Sequence, residues 1–170
     1  MMVYLVDSSC FMTASQTTYP FDVAESFWNK LSELANNHSF YSIDKVQAEI
    51  NANIDELAVW CEKNLPEDFF ISTETKEVYD KYAELVNWAN DKVVNKELKQ
   101  TGFEKFIDED KADIYFVAFA VLKPEQYTVV TEETSAPESK NDIKLPDACK
   151  AHGVRCINFM TMLRELKVRF

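Results

Sequence analysis

Two rhythms of apolar and polar residues run along this chain, one of short solid runs and one of helical spacing. Val3–Val6 is an unbroken apolar run with β-branched residues, ended by Asp7-Ser8-Ser9, and it predicts a buried strand whose carboxyl end carries an acid. Ala24, Phe27, Trp28, Leu31, Leu34 and Ala35 then fall on one face of a helix. Phe40–Ile43 predicts a second strand. Asp44 reads as the N-cap of one long helix buried along Val46, Ile50, Ile54, Leu57 and Cys61. Pro66 interrupts, and Val78, Tyr82, Leu85, Ala89 and Val93 resume helical register opposite a densely charged face. Gly102 is expected to break the chain before a short helix at 103–107. Ala112–Leu122 is apolar nearly all round, which predicts a helix packed inside the molecule until Pro124 stops it. Thr128–Thr131 predicts a strand and Thr134–Asn141 a loop. Leu145–His152 predicts a short helix led in by Pro146 and closed at Gly153. Val154–Ile157 predicts a last strand and Met160–Leu166 a last helix.

Short apolar strands separated by helices predict an α/β protein, a three-layer α/β/α arrangement around a central, mainly parallel sheet. Residues 1–170 read as a single domain with no internal repeat and no linker. In such sheets the ligand site lies beyond the carboxyl ends of the strands.

Composition narrows the chemistry. At 170 residues, 46% apolar and 28% charged, the chain can bury a globular core. Gly102 and Gly153 are its two glycines, so no dinucleotide fingerprint, P-loop or nucleophile elbow can be written. Its two histidines, His38 and His152, exclude a multi-histidine zinc centre and an H-E-x-x-H helix. Cys149, His152 and Cys156 are spaced loosely like metal ligands but lack an obvious fourth, and the four cysteines are read as small core hydrophobes. With no signal-peptide pattern, no apolar run of membrane-spanning length and no C-x-x-C pair, the expected location is cytoplasmic. The net charge is −11, and it is uneven: residues 140–170 carry seven basic and three acidic side chains. An acidic body repels nucleic acid at long range, while the basic strip near the C-terminus can touch phosphates or simply be solvated.

That leaves the carboxylates. Asp7 follows the first strand, Glu49 lies early in the helix after the second, Asp113 opens the apolar helix, and Glu132-Glu133 follow the strand at 128–131. Singly, Asp7 is also a turn residue, Asp113 a helix N-cap, Glu49 a solvated helix residue and the glutamate pair a loop charge. Together they sit at strand exits or at the starts of the helices behind them. Carboxylates gathered on one edge repel one another, and an all-oxygen set suits Mg²⁺ or Mn²⁺ rather than zinc.

The run Val3-Tyr4-Leu5-Val6-Asp7-Ser8-Ser9-Cys10-Phe11 resembles the opening of a PIN domain. Val46-Gln47-Ala48-Glu49 resembles the second acid of that superfamily, Asp113–Ala120 its third, and Val129-Val130-Thr131-Glu132-Glu133 the strand ending in Thr-x-Asp. Within it the chain is most similar to an uncharacterised bacterial group of PIN-like proteins. It shares with them a Phe-Trp like Phe27-Trp28, a run like Ile143–Cys149 followed by Gly153-Val154-Arg155-Cys156, and a Glu at the Glu133 position. The resemblance implies a metal-dependent ribonuclease, with Asp7, Glu49, Asp113 and Glu133 both catalytic and holding Mg²⁺ or Mn²⁺. Ser9 would orient Asp7 or a bound water, with Ser8 a lesser choice. Thr131 would position the final carboxylate, and Asp147 would supply a further acid. The substrate would be single-stranded RNA, cleaved to a 5′-phosphate and a 3′-hydroxyl. The partners would be an antitoxin protein, as in toxin–antitoxin pairs, and a second copy in a homodimer, with no membrane. The alternative is a catalytically silent binding module on the same fold. A phosphoaspartate phosphatase would need an acid where Ser9 stands, and a receiver domain would carry its acid after a middle strand.

Overall fold

The computed structural model describes residues 2–170. Five parallel strands form the central sheet: β1 (Val3–Val6), β2 (Phe40–Ile43), β3 (Phe70–Ile71), β4 (Tyr127–Val130) and β5 (Arg155–Ile157). Helices cover both faces, giving the three-layer α/β/α fold, and the sheet is parallel throughout rather than mainly so. Central strands covered on both faces need continuous apolar runs, and Leu5, Val6, Val129 and Val130 are fully buried. Where a polar side chain does enter the sheet it is satisfied: the Ser42 hydroxyl donates to the Val6 carbonyl at 2.6 Å.

The strand order is β3-β2-β1-β4-β5. The chain first builds outward from β1 through β2 to β3, then returns to the other side of β1 for β4 and β5. The reversal falls between β1 and β4, and that crevice, at the strands' carboxyl ends, is where open α/β sheets bind ligands. β1 and β4 pair in register from Val3 with Tyr127 to Val6 with Val130. Asp7 and Thr131 therefore leave the sheet side by side.

The helices are α1 (Ser8–Thr13), α2 (Glu25–Asn36), α3 (Asp44–Ala52), α4 (Glu56–Asn64), α5 (Lys76–Val94), α6 (Gln100–Phe106), α7 (Asp113–Ala120), α8 (Leu145–Ala151) and α9 (Phe159–Glu165). The apolar helix predicted after Ala112 is α7. Six of its eight residues are buried, and it packs against α5, α8 and β4. Gly153 closes α8 with φ +70°, the left-handed conformation that glycine enters at least cost.

Three local readings are corrected, and α1 and β3 are elements the sequence did not predict. α1 and the π-helical turn after it, Ala14–Thr18, continue from the first strand without a loop. The long helix predicted from Asp44 is two helices. Asp55 caps α4 by accepting from the Ala58 N–H at 3.0 Å, and Ile54, assigned to the buried stripe, is 98% exposed at the corner. Asp44 is the first residue of α3 rather than its cap, and its carboxylate ties α3 to Thr73 through the backbone N–H and the hydroxyl. Gly102 lies inside α6 instead of breaking the chain before it. A Cβ there would come within 2.8 Å of the Asn141 carbonyl and of Leu98 Cδ1, so the glycine permits close packing. β3, an edge strand of two residues, was not anticipated.

Candidate functional site

The loop-free passage from β1 into α1 sets the first part of the site. Asp7 is the N-cap residue of α1 and is 3% exposed, so its carboxyl group needs partners. The Ser9 hydroxyl donates to Asp7 Oδ2 at 2.6 Å, and the Thr131 hydroxyl donates to the same oxygen at 2.9 Å. Thr131 in turn accepts from the backbone N–H of Glu133 at 3.1 Å. One hydroxyl thus joins β1 to the segment leaving β4. Thr131 orients Asp7 and the Glu133 backbone, whereas the resemblance implied that it positions the Glu133 carboxylate.

Glu49, on the second turn of α3, is held by two donors. The Ser8 hydroxyl lies 2.6 Å from Oε2, and the Ala112 N–H lies 2.9 Å from Oε1. The second bond fixes the start of α7, where Ala112 is the N-cap and Asp113 the first helical residue. Ser8, the lesser choice from sequence, has a definite role in orienting Glu49. Ser8 is buried at the start of α1, and its place next to Ser9 in the chain gave no sign of which acid each serine would face. Glu133 Oε2 accepts from the Leu145 N–H at 2.8 Å, at the start of α8.

Asp7, Glu49, Asp113 and Glu133 all line one open cavity of about 920 Å³ at the switch point between β1 and β4. Asp113 accepts no hydrogen bond among the described residues. Burial pushes its carboxyl up to about 8 from an ordinary 3.8, and Asp7, Glu133 and Glu49 push in the same direction. Glu133 is raised too, by burial first, with the Leu145 N–H opposing. Unbalanced carboxylates facing one another give this pattern. Among the described residues no three His, Cys, Asp or Glu side chains are already gathered tightly enough to hold a metal ion, and Asp7, Glu49 and Glu133 direct oxygens at protein donors. The donor set itself is hard oxygen throughout, which fits Mg²⁺ or Mn²⁺.

Four lysines, Lys45, Lys105, Lys111 and Lys144, line the same cavity in a chain of strongly negative charge. Lys105 pairs with Asp142 at 3.0 Å, and the Lys45 ammonium stands 4.5 Å from the centre of the Tyr115 ring. Lys111 and Lys144 form no ion pair among the described residues. Amines set among these carboxylates, with Glu109, Asp110 and Asp142 also on the lining, suit a ligand that carries phosphate and brings or shares a cation.

Two acids fall outside this group. Asp147 does not face the carboxylates: its oxygens take the Ser135 hydroxyl and the Ala136 N–H, the latter at 2.8 Å, and pin the loop after β4. Glu132 turns the other way from Glu133 and accepts from the Phe159 N–H at 3.0 Å, at the head of α9. Cys10, Cys61 and Cys149 are buried and Cys156 is partly so, all as free thiols. Among the described residues no helix is long and apolar enough to cross a membrane.

No curated protein matches the chain. A family model described as a domain of unknown function (DUF4411) matches residues 4–170, and the chain belongs to that family.

Proposed function

We propose that the chain is a metal-dependent endoribonuclease acting on single-stranded RNA in the cytoplasm, as the toxin of a toxin–antitoxin pair. The observation that carries this reading is the convergence of Asp7, Glu49, Asp113 and Glu133 on one cavity, also lined by four lysines, at the sheet's switch point. These four would hold Mg²⁺ or Mn²⁺. When bound, such an ion lowers the pKa of a water and neutralises charge on the scissile phosphate.

The chain's own residues divide the remaining work. Ser9 and Thr131 hold Asp7 Oδ2 from two sides, leaving Oδ1 with a single long approach from the Ser8 hydroxyl at 3.4 Å. Ser8 and the Ala112 N–H fix Glu49, while Asp113 keeps both oxygens unengaged. Lys111 and Lys144 meet the backbone phosphates flanking the cut. Water adds to phosphorus, the bond from phosphorus to the 3′ oxygen breaks, and the water's proton passes to that oxygen. The products are a 5′-phosphate and a 3′-hydroxyl. An unpaired strand fits this site because its flexible backbone can bend to bring one phosphate to the carboxylates.

The test is incubation of end-labelled single-stranded RNA with Mn²⁺ or with EDTA, for the wild type and Asp7→Asn. Cleavage in Mn²⁺, lost in EDTA and in the variant, is the expected result. RNA left intact under every divalent metal overturns it in favour of a catalytically silent binding module. That second reading draws on Glu49, both of whose oxygens are already engaged by protein donors.

A further inference from the structure

Beside the carboxylate cavity lies a second one of about 420 Å³, and Asp142 and Ile143 line both. The two are neighbouring compartments separated by one stretch of chain. The walls of the second come from three distant places: Trp88 and Lys92 on α5, the loop Ser135–Ser139, and Asp147, Lys150 and Ala151 on α8. Trp88 is half-buried and braced edge-on by His152, ring centres 4.7 Å apart at 82°, and by Phe106 at 5.9 Å. Its indole is therefore held in place without being covered. Lys92, which also pairs with Glu97 at 3.1 Å, places its ammonium 5.6 Å from the indole centre, so this ring already receives a cation.

The acids of this wall are occupied. Asp142 pairs with Lys105, and Asp147 binds Ser135 and the Ala136 N–H, which fixes the loop as a wall. Lys150 is exposed and has no ion-pair partner among the described residues. The basic strip of residues 140–170 thus lies along both compartments, Lys144 on the first and Lys150 on the second. A braced aromatic ring with one amine beside it and a second lining the same cavity is the chemistry that receives one unstacked base and its phosphate.

We propose that this second cavity is a nucleotide subsite, in which a base neighbouring the phosphodiester at the carboxylates lies against Trp88, with its phosphate between Lys92 and Lys150. The assignment rests on the ribonuclease reading for the identity of the strand, and it adds where that strand runs: from the carboxylates past Asp142 and Ile143 to α5 and α8.

The test is a double-mutant cycle between protein and substrate. One arm compares wild type, Trp88→Ala and Trp88→Phe. The other uses a short single-stranded RNA with an abasic nucleotide moved along it one position at a time. Removing one particular base next to the cut should raise KM by ~10-fold with kcat little changed. Trp88→Ala should raise KM equally and abolish the penalty for that abasic position, while Trp88→Phe retains most of the binding. Because Trp88 also packs against its neighbours, Lys150→Glu, on an exposed side chain, is the second variant, and it should raise KM and weaken the salt dependence. Additive penalties for the base and for Trp88, with Lys150→Glu at wild-type KM, overturn the subsite and leave the nuclease standing. If the RNA stays intact in Mn²⁺, the same comparisons are read as Kd by fluorescence anisotropy. Binding that depends on Trp88 and Lys150 then keeps the subsite without the nuclease, and no binding overturns both.

Discussion

The Thr131 hydroxyl lies 2.9 Å from Asp7 Oδ2 and joins residues 124 positions apart in the chain. It is 2% exposed and its oxygen also receives the Glu133 N–H, so one side chain sets the direction of Asp7 and of the segment that carries Glu133. The parallel register of β1 and β4 makes this contact possible, since Val6 opposite Val130 puts the next residue of each strand at the same height.

Thr131→Val keeps the shape and removes the hydroxyl. Asp7 Oδ2 then rests on Ser9 alone, and the Glu133 N–H loses its partner. A loss of about 1–3 kcal/mol in stability is expected, read from the urea midpoint at constant m. Mn²⁺ affinity, measured by calorimetry on the folded variant, should fall by roughly 10–100-fold, as for other residues that orient ligands from behind.

Asp113 makes stability depend on pH. Its carboxyl is raised to about 8 in the metal-free fold, so between roughly pH 4 and pH 8 the folded chain holds a proton that the unfolded chain has released. The stability this group leaves intact at low pH is therefore lost as pH rises through that window, and Glu133 shifts the same way. Urea unfolding in EDTA at about pH 5 and about pH 8.5 checks the slope. Asp113→Asn should flatten it and raise stability at the higher pH by ~1–2 kcal/mol, while abolishing Mn²⁺ uptake.

Mn²⁺ must displace the Asp113 proton to use that oxygen. Binding near neutral pH should release a proton, seen as a calorimetric enthalpy that varies with the ionisation enthalpy of the buffer. Asp113→Asn should remove both the heat and its buffer dependence.

Glu132 and Glu133 are adjacent but serve different ends of the structure. Glu132→Ala removes the acceptor for the Phe159 N–H and should cost about 0.5–1 kcal/mol in urea unfolding, with Mn²⁺ affinity unchanged. Glu133→Ala should do the reverse, weakening Mn²⁺ binding at little cost in metal-free stability, because it also removes a raised carboxyl group.

Gly102→Ala and Gly153→Ala test two separate reasons for glycine. The added methyl at 102 meets the Asn141 backbone oxygen at 2.8 Å, and backbone yields poorly, so a cost of roughly 1–3 kcal/mol is expected. At 153 the added methyl meets nothing within 4 Å, and only the φ of +70° opposes it, for about 1–2 kcal/mol. Both are read from denaturant midpoints.

The amino-acid sequence by itself determined the layers and the strand exits. Strands covered on both faces need apolar runs, and the run Val3–Val6 and the strand read at Thr128–Thr131, observed as Tyr127–Val130, carried that signal. The interior α7 declared itself because apolar residues surround it on every side, and Asp113 was conspicuous as the charge at its head. Shorter features lacked such a signal. β3 has two residues, fewer than one period of alternation, and the corner at Ile54 comes from the Asp55 cap interrupting an otherwise continuous helical pattern.

Only the tertiary structure decided direction and distance. Nothing in Ser8-Ser9 or Glu132-Glu133 says that one of each pair faces Glu49 or α9 and the other faces Asp7 or α8, because adjacent side chains on a turn diverge according to the packing around them. The second cavity is built from positions 88, 135 and 150, which share no local pattern and meet through the packing of α5, α7 and α8. Local sequence fixes a residue's backbone habit through its immediate neighbours, whereas which charges share a cavity depends on long-range contacts that leave no periodic trace.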